Sequence, residues 1–306
     1  MSSTVRLATF NCENLFARWR FRDNVDPSEA NTRGWVVDRI KFQELGVESK
    51  AITGRAIRDL KADVIALQEV ENVDTLKHFR TEFLGGNAEY PYAAGVDGND
   101  PRLIDVAVLS KLPITHIRSY QHLRDPDVPT KQLFSRDCLE VDVRVSQNLT
   151  ITLFVNHLKS MMGGRAETHG KRVRQAAEVL KIVKKRFGTR PGDQPFVVLG
   201  DLNDYLDETT AIEDLVHWSQ VENVVERLPE DEQWTHYYDD KEEYRQLDYL
   251  LPSTSLAAAV QGPPVIFRKG MPLRATQYEG ERYAGVGQDR PKASDHCPAY
   301  VDFEVT

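Results

Sequence analysis

The sequence has little cysteine, and what it has is unpaired: Cys12, Cys138 and Cys297 are an odd set without ligand-like spacing. Neither a disulfide framework nor a thiolate zinc cluster is indicated. Each cysteine lies within two residues of a polar candidate named below, which suits a small apolar residue packed beside a site. Long apolar runs are missing as well. No window approaches the roughly 18 apolar residues of a membrane span, and MSSTVRLATF lacks the cationic-then-apolar pattern of a leader. The expectation is a cytoplasmic protein. Positive charge is also short: 39 Lys and Arg against 47 Asp and Glu leave a net charge of -8. That weakens any picture of a chain held on nucleic acid by a uniformly basic surface, but it leaves phosphate substrates open, because an acidic metal site brings negative charge of its own. Linkers, repeats and low-complexity stretches are absent. Polar candidates run from Asn11 to His296, so both ends of the 306 residues are expected to build one site, in one domain over 1–306 and in a monomer.

What is present is a recurring pattern of apolar runs that end in polar residues. In FVVLGDLND, Phe196 to Leu199 read as a strand buried on both faces, and Gly200 lets the backbone leave the sheet where Asp201, Asn203 and Asp204 begin. If the strand stays extended, the period-2 alternation places Asp201 and Asn203 on one side and Leu202 on the other. A core strand ending in two acids and an amide is costly unless water, a metal or a substrate satisfies them. The alternative is a capping turn into a helix over Glu208 to Val216. The pattern recurs: VRLATFN ends at Asn11, Val64 to Leu67 are followed by Glu69, and ITLFVNH runs on to His157. Arg136 precedes another alternating strand, RQLDYLL carries Asp248, and Asp295 and His296 precede the last strand.

Helical spacing is expected at Ile52, Ala56 and Leu60, and at Leu76, Phe79 and Phe83. The strongest helical period lies over Ala166 to Phe187, with Val173, Ala176, Leu180, Val183 and Phe187 as its apolar stripe. Its other face carries Lys171, Arg172, Arg174, Lys181, Lys184 and Lys185 and reads as solvated. Residues 17–49 form a polar insertion in which Arg18, Arg20 and Arg22 alternate with Trp19 and Phe21. Two readings stay open there: a phosphate-gripping, base-stacking loop, or an edge strand with a snorkelling charged face, pinned by Trp19 and Trp35.

The ordered stretches TFNCENLF, IALQEVEN, IDVAVLSKLPI, FVNHLKS, VVLGDLND, QLDYLL and SDHCP cover nearly the whole chain and resemble the endonuclease/exonuclease/phosphatase superfamily. The resemblance implies an α/β fold, a four-layered sandwich of two packed mixed β-sheets flanked by helices. It implies a divalent-metal-dependent phosphoesterase, a nuclease in the first instance, using Mg²⁺ with Mn²⁺ or Ca²⁺ as alternatives. Glu69 would bind the metal with Asn11 and Asp295 beside it. Asp201 and Asn203 would position or deprotonate the attacking water, Asp248 would orient His296, and His157 and Arg136 would face the phosphate. No equivalent of the tyrosine-bearing stretch of abasic-site endonucleases is present. A phosphatase or sphingomyelinase-like phospholipase is the alternative within the same chemistry, and a catalytically inactive phosphate-binding module the alternative outside it. Binuclear metallophosphoesterases need Asp-x-His and Gly-Asn-His elements, and the chain has neither in place.

Overall fold

In the computed structural model, which describes residues 3–26, 28 and 37–305, the alternating segments assemble into two large sheets. The first half of the chain runs β1 (Ser3–Leu15), a hairpin of β2 (Trp19–Phe21) and β3 (Phe42–Glu44), α1 (Val47–Leu60), β4 (Val64–Val70), α2 (Val73–Phe83), β5 (Tyr92–Gly95) and β6 (Asp105–Ser110). The second half runs β7 (Ile114–Arg118), β8 (Cys138–Arg144), β9 (Thr150–His157), α3 (Arg165–Phe187), β10 (Phe196–Asp201) and α4 (Glu213–Val216). It ends with β11 (His236–Tyr238), β12 (Glu243–Arg245), β13 (Asp248–Pro252), α5 (Thr254–Ala257), β14 (Val260–Ile266) and β15 (Ala299–Val305).

One sheet has the order β14-β15-β1-β4-β6-β5, the other β13-β10-β9-β8-β7. Each holds one parallel pair, β1 with β4 and β9 with β10, and their other pairings are antiparallel. Parallel neighbours need a long crossover, and the long helices α1 and α3 supply them.

Alternation then decides the layers. Val5, Leu7, Val64 and Ala66 of the first sheet pack against Leu153, Val155, Val197 and Leu199 of the second. Their sequence neighbours point outward: Ala8, Phe10, Ile65 and Leu67 lie under α1 and α2, while Phe154, Phe196 and Val198 lie under α3. The result is the expected four-layered sandwich. Among the described residues no helix is long and apolar enough to cross a membrane.

One local expectation needs correction, and two readings left open take a definite form. The buried face of α3 is Arg172, Gln175, Ala176, Val179, Ile182 and Val183, while Val173 is exposed, so the helix is turned from the stripe read in the sequence. The cause is Arg172, which is not solvated: it is fully buried, with its Nε 3.0 Å from Asp204 Oδ2. The helix over Glu208 to Val216 shortens to α4, Glu213–Val216. The start of the insertion is the β2/β3 hairpin, and its arginines have partners: Arg18 donates to Glu71 and Arg22 Nε donates to the Arg39 carbonyl at 2.7 Å. Trp19 packs at a tilt against His78 with centroids 5.6 Å apart, whereas Trp35 lies outside the described residues.

Candidate active site

Strand register gathers the polar residues. Across the second sheet His157 of β9, Asp201 of β10 and Asp248 of β13 occupy one row, because Asp201 is the ladder partner of both neighbours. Gly200 makes this row possible. Its φ of 123° and its closeness to the Asn156 carbonyl, which a Cβ would strike, leave room only for glycine. From the facing sheet come Asn11 of β1 and Glu69, which sits in a β-bulge of β4 at φ 61°. A bulge re-aims one side chain without ending the strand. Asp295 and His296 arrive on the turn before β15; Ser294 Oγ donates to the Asn11 carbonyl at 2.7 Å and accepts from His296 N at 3.0 Å.

Asp201 is 1% exposed and lies at the centre. Its Oδ2 accepts from Asn11 Nδ2 at 3.0 Å and from Asn203 Nδ2 at 3.0 Å, and its Oδ1 accepts from Asn203 N at 2.8 Å. Asn203 reaches it through a left-handed turn at φ 53° rather than by continued extension, while Leu202 is buried in the outer α3 layer. His157 Nε2 stands 3.4 Å and His296 Nε2 3.8 Å from Asp201 Oδ2. Burial, reinforced by the Asp248 charge and only partly offset by His296, pushes the Asp201 carboxyl up to about 7. A carboxylate tuned near neutrality can take a proton from water.

The two histidines have opposite electrostatics. Burial, with Arg136 and His296 adding to it, drives His157 well below the ordinary imidazole range, so its ring is neutral. Burial also opposes charge on His296, but Asp248 and Asp201 outweigh it and hold that ring well above the ordinary range. Asp248 Oδ2 accepts from His296 Nδ1 at 2.8 Å and from Thr235 Oγ1 at 2.7 Å, leaving Nε2 of the histidine directed into the site.

Glu69 and Asp295 are carboxylates that could hold a cation. Burial and the Asp295 charge both raise the Glu69 carboxyl, the mark of two carboxylates crowded in a poorly solvated place. Burial pushes Asp295 the same way, but His296 and the other nearby cations outweigh it and leave that carboxyl lowered. One Glu69 oxygen accepts from Asn14 N at 3.0 Å and the other stands 3.8 Å from His157 Nε2. Hard oxygen donors of this kind fit Mg²⁺ or Ca²⁺ chemistry. Asn11 lies beside Glu69: its oxygen accepts from Glu13 N at 3.0 Å and its amide nitrogen donates to Asp201.

Arg136 is buried, with Nη1 3.1 Å from Asp100 Oδ2, Nη2 donating to the Leu158 carbonyl and Nε unpartnered. Asp100 also takes a forked contact from Arg102 at 3.0 and 3.1 Å. Sequence reading missed Asp100, Arg102, Thr235 and His236. Residues 96–102, VDGNDPR, are rich in Gly, Asp and Asn, but which of the two acids meets Arg136 is a tertiary matter. The signal for Thr235 and His236 was their place in WTHYY, a short polar segment without period.

The sequence profile of the Endonuclease/Exonuclease/phosphatase family matches residues 8–296. The chain belongs to this family. The family's phosphoric ester hydrolase chemistry is thereby the chemistry of this enzyme. No curated protein matches the sequence. Among solved structures, a mannosyl-6-phosphatase of Bacteroides thetaiotaomicron is similar at 16% identity and TM-score 0.63, over 99% of this chain and 100% of that one. D. rerio TDP2 complexed with a single-strand DNA product is similar at 15% identity and TM-score 0.61, over 99% and 100%. The human Nocturnin catalytic domain with a bound sulfate is similar at 14% identity and TM-score 0.61, over 99% and 95%. At these identities the likeness is one of fold.

Proposed function

We propose that this family member hydrolyses phosphate esters with a water activated by Asp201, in a site that uses a divalent cation. The observation that carries the reading is the environment of Asp201: buried, held by two amide side chains, flanked by a neutral and a charged imidazole, and raised to about 7. Asn203 and Asn11 orient the carboxylate, which takes the proton of the water. His296, kept charged by Asp248, offsets negative charge as the pentacovalent phosphorus forms, and neutral His157 donates a hydrogen bond to a phosphate oxygen. Arg136 adds positive potential from beneath. Glu69 and Asp295, with Asn11 beside them, would hold the cation, Mg²⁺ before Mn²⁺ or Ca²⁺. When bound, the ion polarises the phosphoryl group and lowers the barrier to attack.

The first substrate class is the phosphodiester of a nucleic acid, a reading supported by the motif set and by the likeness to a TDP2 that carries a DNA product. A second class, the phosphomonoester of a small hydroxylated molecule, is favoured by the groove that leads away from Asp295. Its walls carry Asp239, Asp240 and Asp289 beside Arg290 and Lys292, which pair with Glu13, and the rings of Tyr237 and Tyr238, a mixed lining of charges and aromatic rings that suits hydroxyl groups. Purified protein with Mg²⁺ or Mn²⁺ should be tested on single-stranded DNA, RNA, a lipid phosphodiester, a sugar phosphate and an aryl phosphodiester. Release of nucleotides selects the first class, and release of inorganic phosphate from the sugar selects the second. No turnover of any of these would overturn the hydrolase mechanism proposed for Asp201.

A further inference from the structure

His236 has no place in the chemistry above, yet it faces it. An antiparallel bridge pairs His236 with His296, and Tyr237 N donates to the Asp295 carbonyl at 3.0 Å, so two adjacent backbone segments fix three side chains side by side. One donor atom from each of His236, Asp295 and His296 lies within 4.8 Å of the others. His296 Nδ1 is taken by Asp248, so its free donor is Nε2, 4.0 Å from Asp295 Oδ1. The His236 ring lies 4.5 Å from the His296 ring, centroid to centroid, and among the described residues its nitrogens make no hydrogen bond.

We propose that His236, Asp295 and His296 form a second cation site, selective for Zn²⁺ over Mg²⁺, whose occupation withdraws His296 from the phosphate and inhibits the enzyme. Two imidazoles and one carboxylate are the ligand types of a borderline ion, whereas Mg²⁺ prefers an all-oxygen shell. Metal–ligand bonds of about 2.1 Å at tetrahedral angles need donors about 3.4 Å apart, so modest side-chain rotation closes the cluster. The carboxylate behind the histidine is already present. Zn²⁺ takes the place of the His296 Nε2 proton, which leaves to solvent, and Asp248 on Nδ1, itself held by Thr235, is the outer-shell arrangement that then orients a metal-binding imidazole. Asp295 faces both positions, so Zn²⁺ at the imidazoles and Mg²⁺ at Glu69 share one carboxylate. Binding does not depend on the proposed hydrolysis, whereas the inhibitory consequence does.

Calorimetric titration of Zn²⁺ into the full chain, with Mg²⁺ in excess, should show one Zn²⁺ per chain. His236→Phe, which keeps an aromatic ring in the half-buried position, should weaken that binding about tenfold or more, at least the loss typical of removing an outer-shell partner. Glu69→Gln, which removes no ligand of this site, should retain stoichiometric Zn²⁺ binding. His236→Gln serves as a second variant if the phenylalanine disturbs folding, which circular dichroism reports. With any substrate that turns over, the ratio of rates without and with Zn²⁺ should fall toward one in His236→Phe. Absence of stoichiometric Zn²⁺ binding, equal binding by the His236 variants, or loss of binding in Glu69→Gln would each overturn the proposal. A chain that binds Zn²⁺ in the stated way yet hydrolyses nothing would retain the site and overturn only the hydrolase reading.

Discussion

Asp201 and Asp204 are three residues apart, both lost from solvent, and they were expected to pose the same problem of a strand ending in buried acids. The structure solves it in two ways. Asp204 receives two arginines and two backbone donors: Arg172 Nε at 3.0 Å, Arg165 Nε at 2.6 Å, Ala211 N at 3.0 Å and Tyr205 N at 3.1 Å. Asp201 receives amides and stands beside imidazoles, with no arginine or lysine in an ion pair with it among the described residues. A guanidinium fixes charge permanently, and such a carboxylate is a structural tie. Amide donors compensate only in part, so burial still lifts Asp201 to about 7, and it remains able to exchange a proton.

The largest test of this contrast is Asp201→Asn. It should lower kcat by about 10²–10⁴, the usual worth of a general base, while the urea midpoint stays at or above that of the parent. A variant that keeps full rate would remove Asp201 from the chemistry. The same group should set the lower limb of the pH–rate profile, with rate rising as pH passes through about 7. Its effect on stability has the opposite sense. A carboxyl raised from 3.8 to about 7 on folding favours the folded state fully at pH below 4, and that contribution is lost as pH climbs to about 7. Asp201→Asn should flatten this decline in denaturant melts taken across the range.

Asp204→Asn should do the reverse and cost about 3–5 kcal/mol of stability, since it strands two arginines, one of them fully buried. Unfolding in urea measures it; a midpoint equal to that of the parent would mean the ion pairs are not what holds α3 on the sheet. At the next level, Asp248→Asn and His296→Ala should each lower kcat by roughly 10²-fold, about one charged donor, with the double variant little worse than either. Multiplying losses would show that the two act separately. The smallest effect is expected at the insertion. Because Arg18 and Arg22 already have partners in and beside the hairpin, replacing Arg18, Arg20 and Arg22 by Ser should cost at most about 1 kcal/mol and leave KM nearly unchanged. A large rise in KM confined to polynucleotide substrates would restore the phosphate-gripping reading.

The legible part of the molecule was the part governed by period. The apolar run from Phe196 to Leu199 and the alternation along Val5 to Leu7 carried the sheets, because a side chain in a strand has only two faces to choose from. The polar ends of those strands were legible for the same reason. A helix offers more freedom: spacings of three and four residues fit neighbouring faces of α3 almost equally well. Arg172 decided between them by reaching Asp204, 32 positions further along the chain.

By itself, then, the sequence determined the residue types at the strand ends, the order of the motifs and the alternation that makes two sheets. Tertiary structure alone decided their use. The register of β9, β10 and β13 turned three distant residues into one row. The choice of arginine or amide as partner separated a structural aspartate from a reactive one, and the bridge between two segments set His236 against His296. The physical reason is that a carboxylate's pKa and an imidazole's charge depend on burial and on neighbours within a few ångströms, and neighbours at long sequence separation are assigned only when the sheets close.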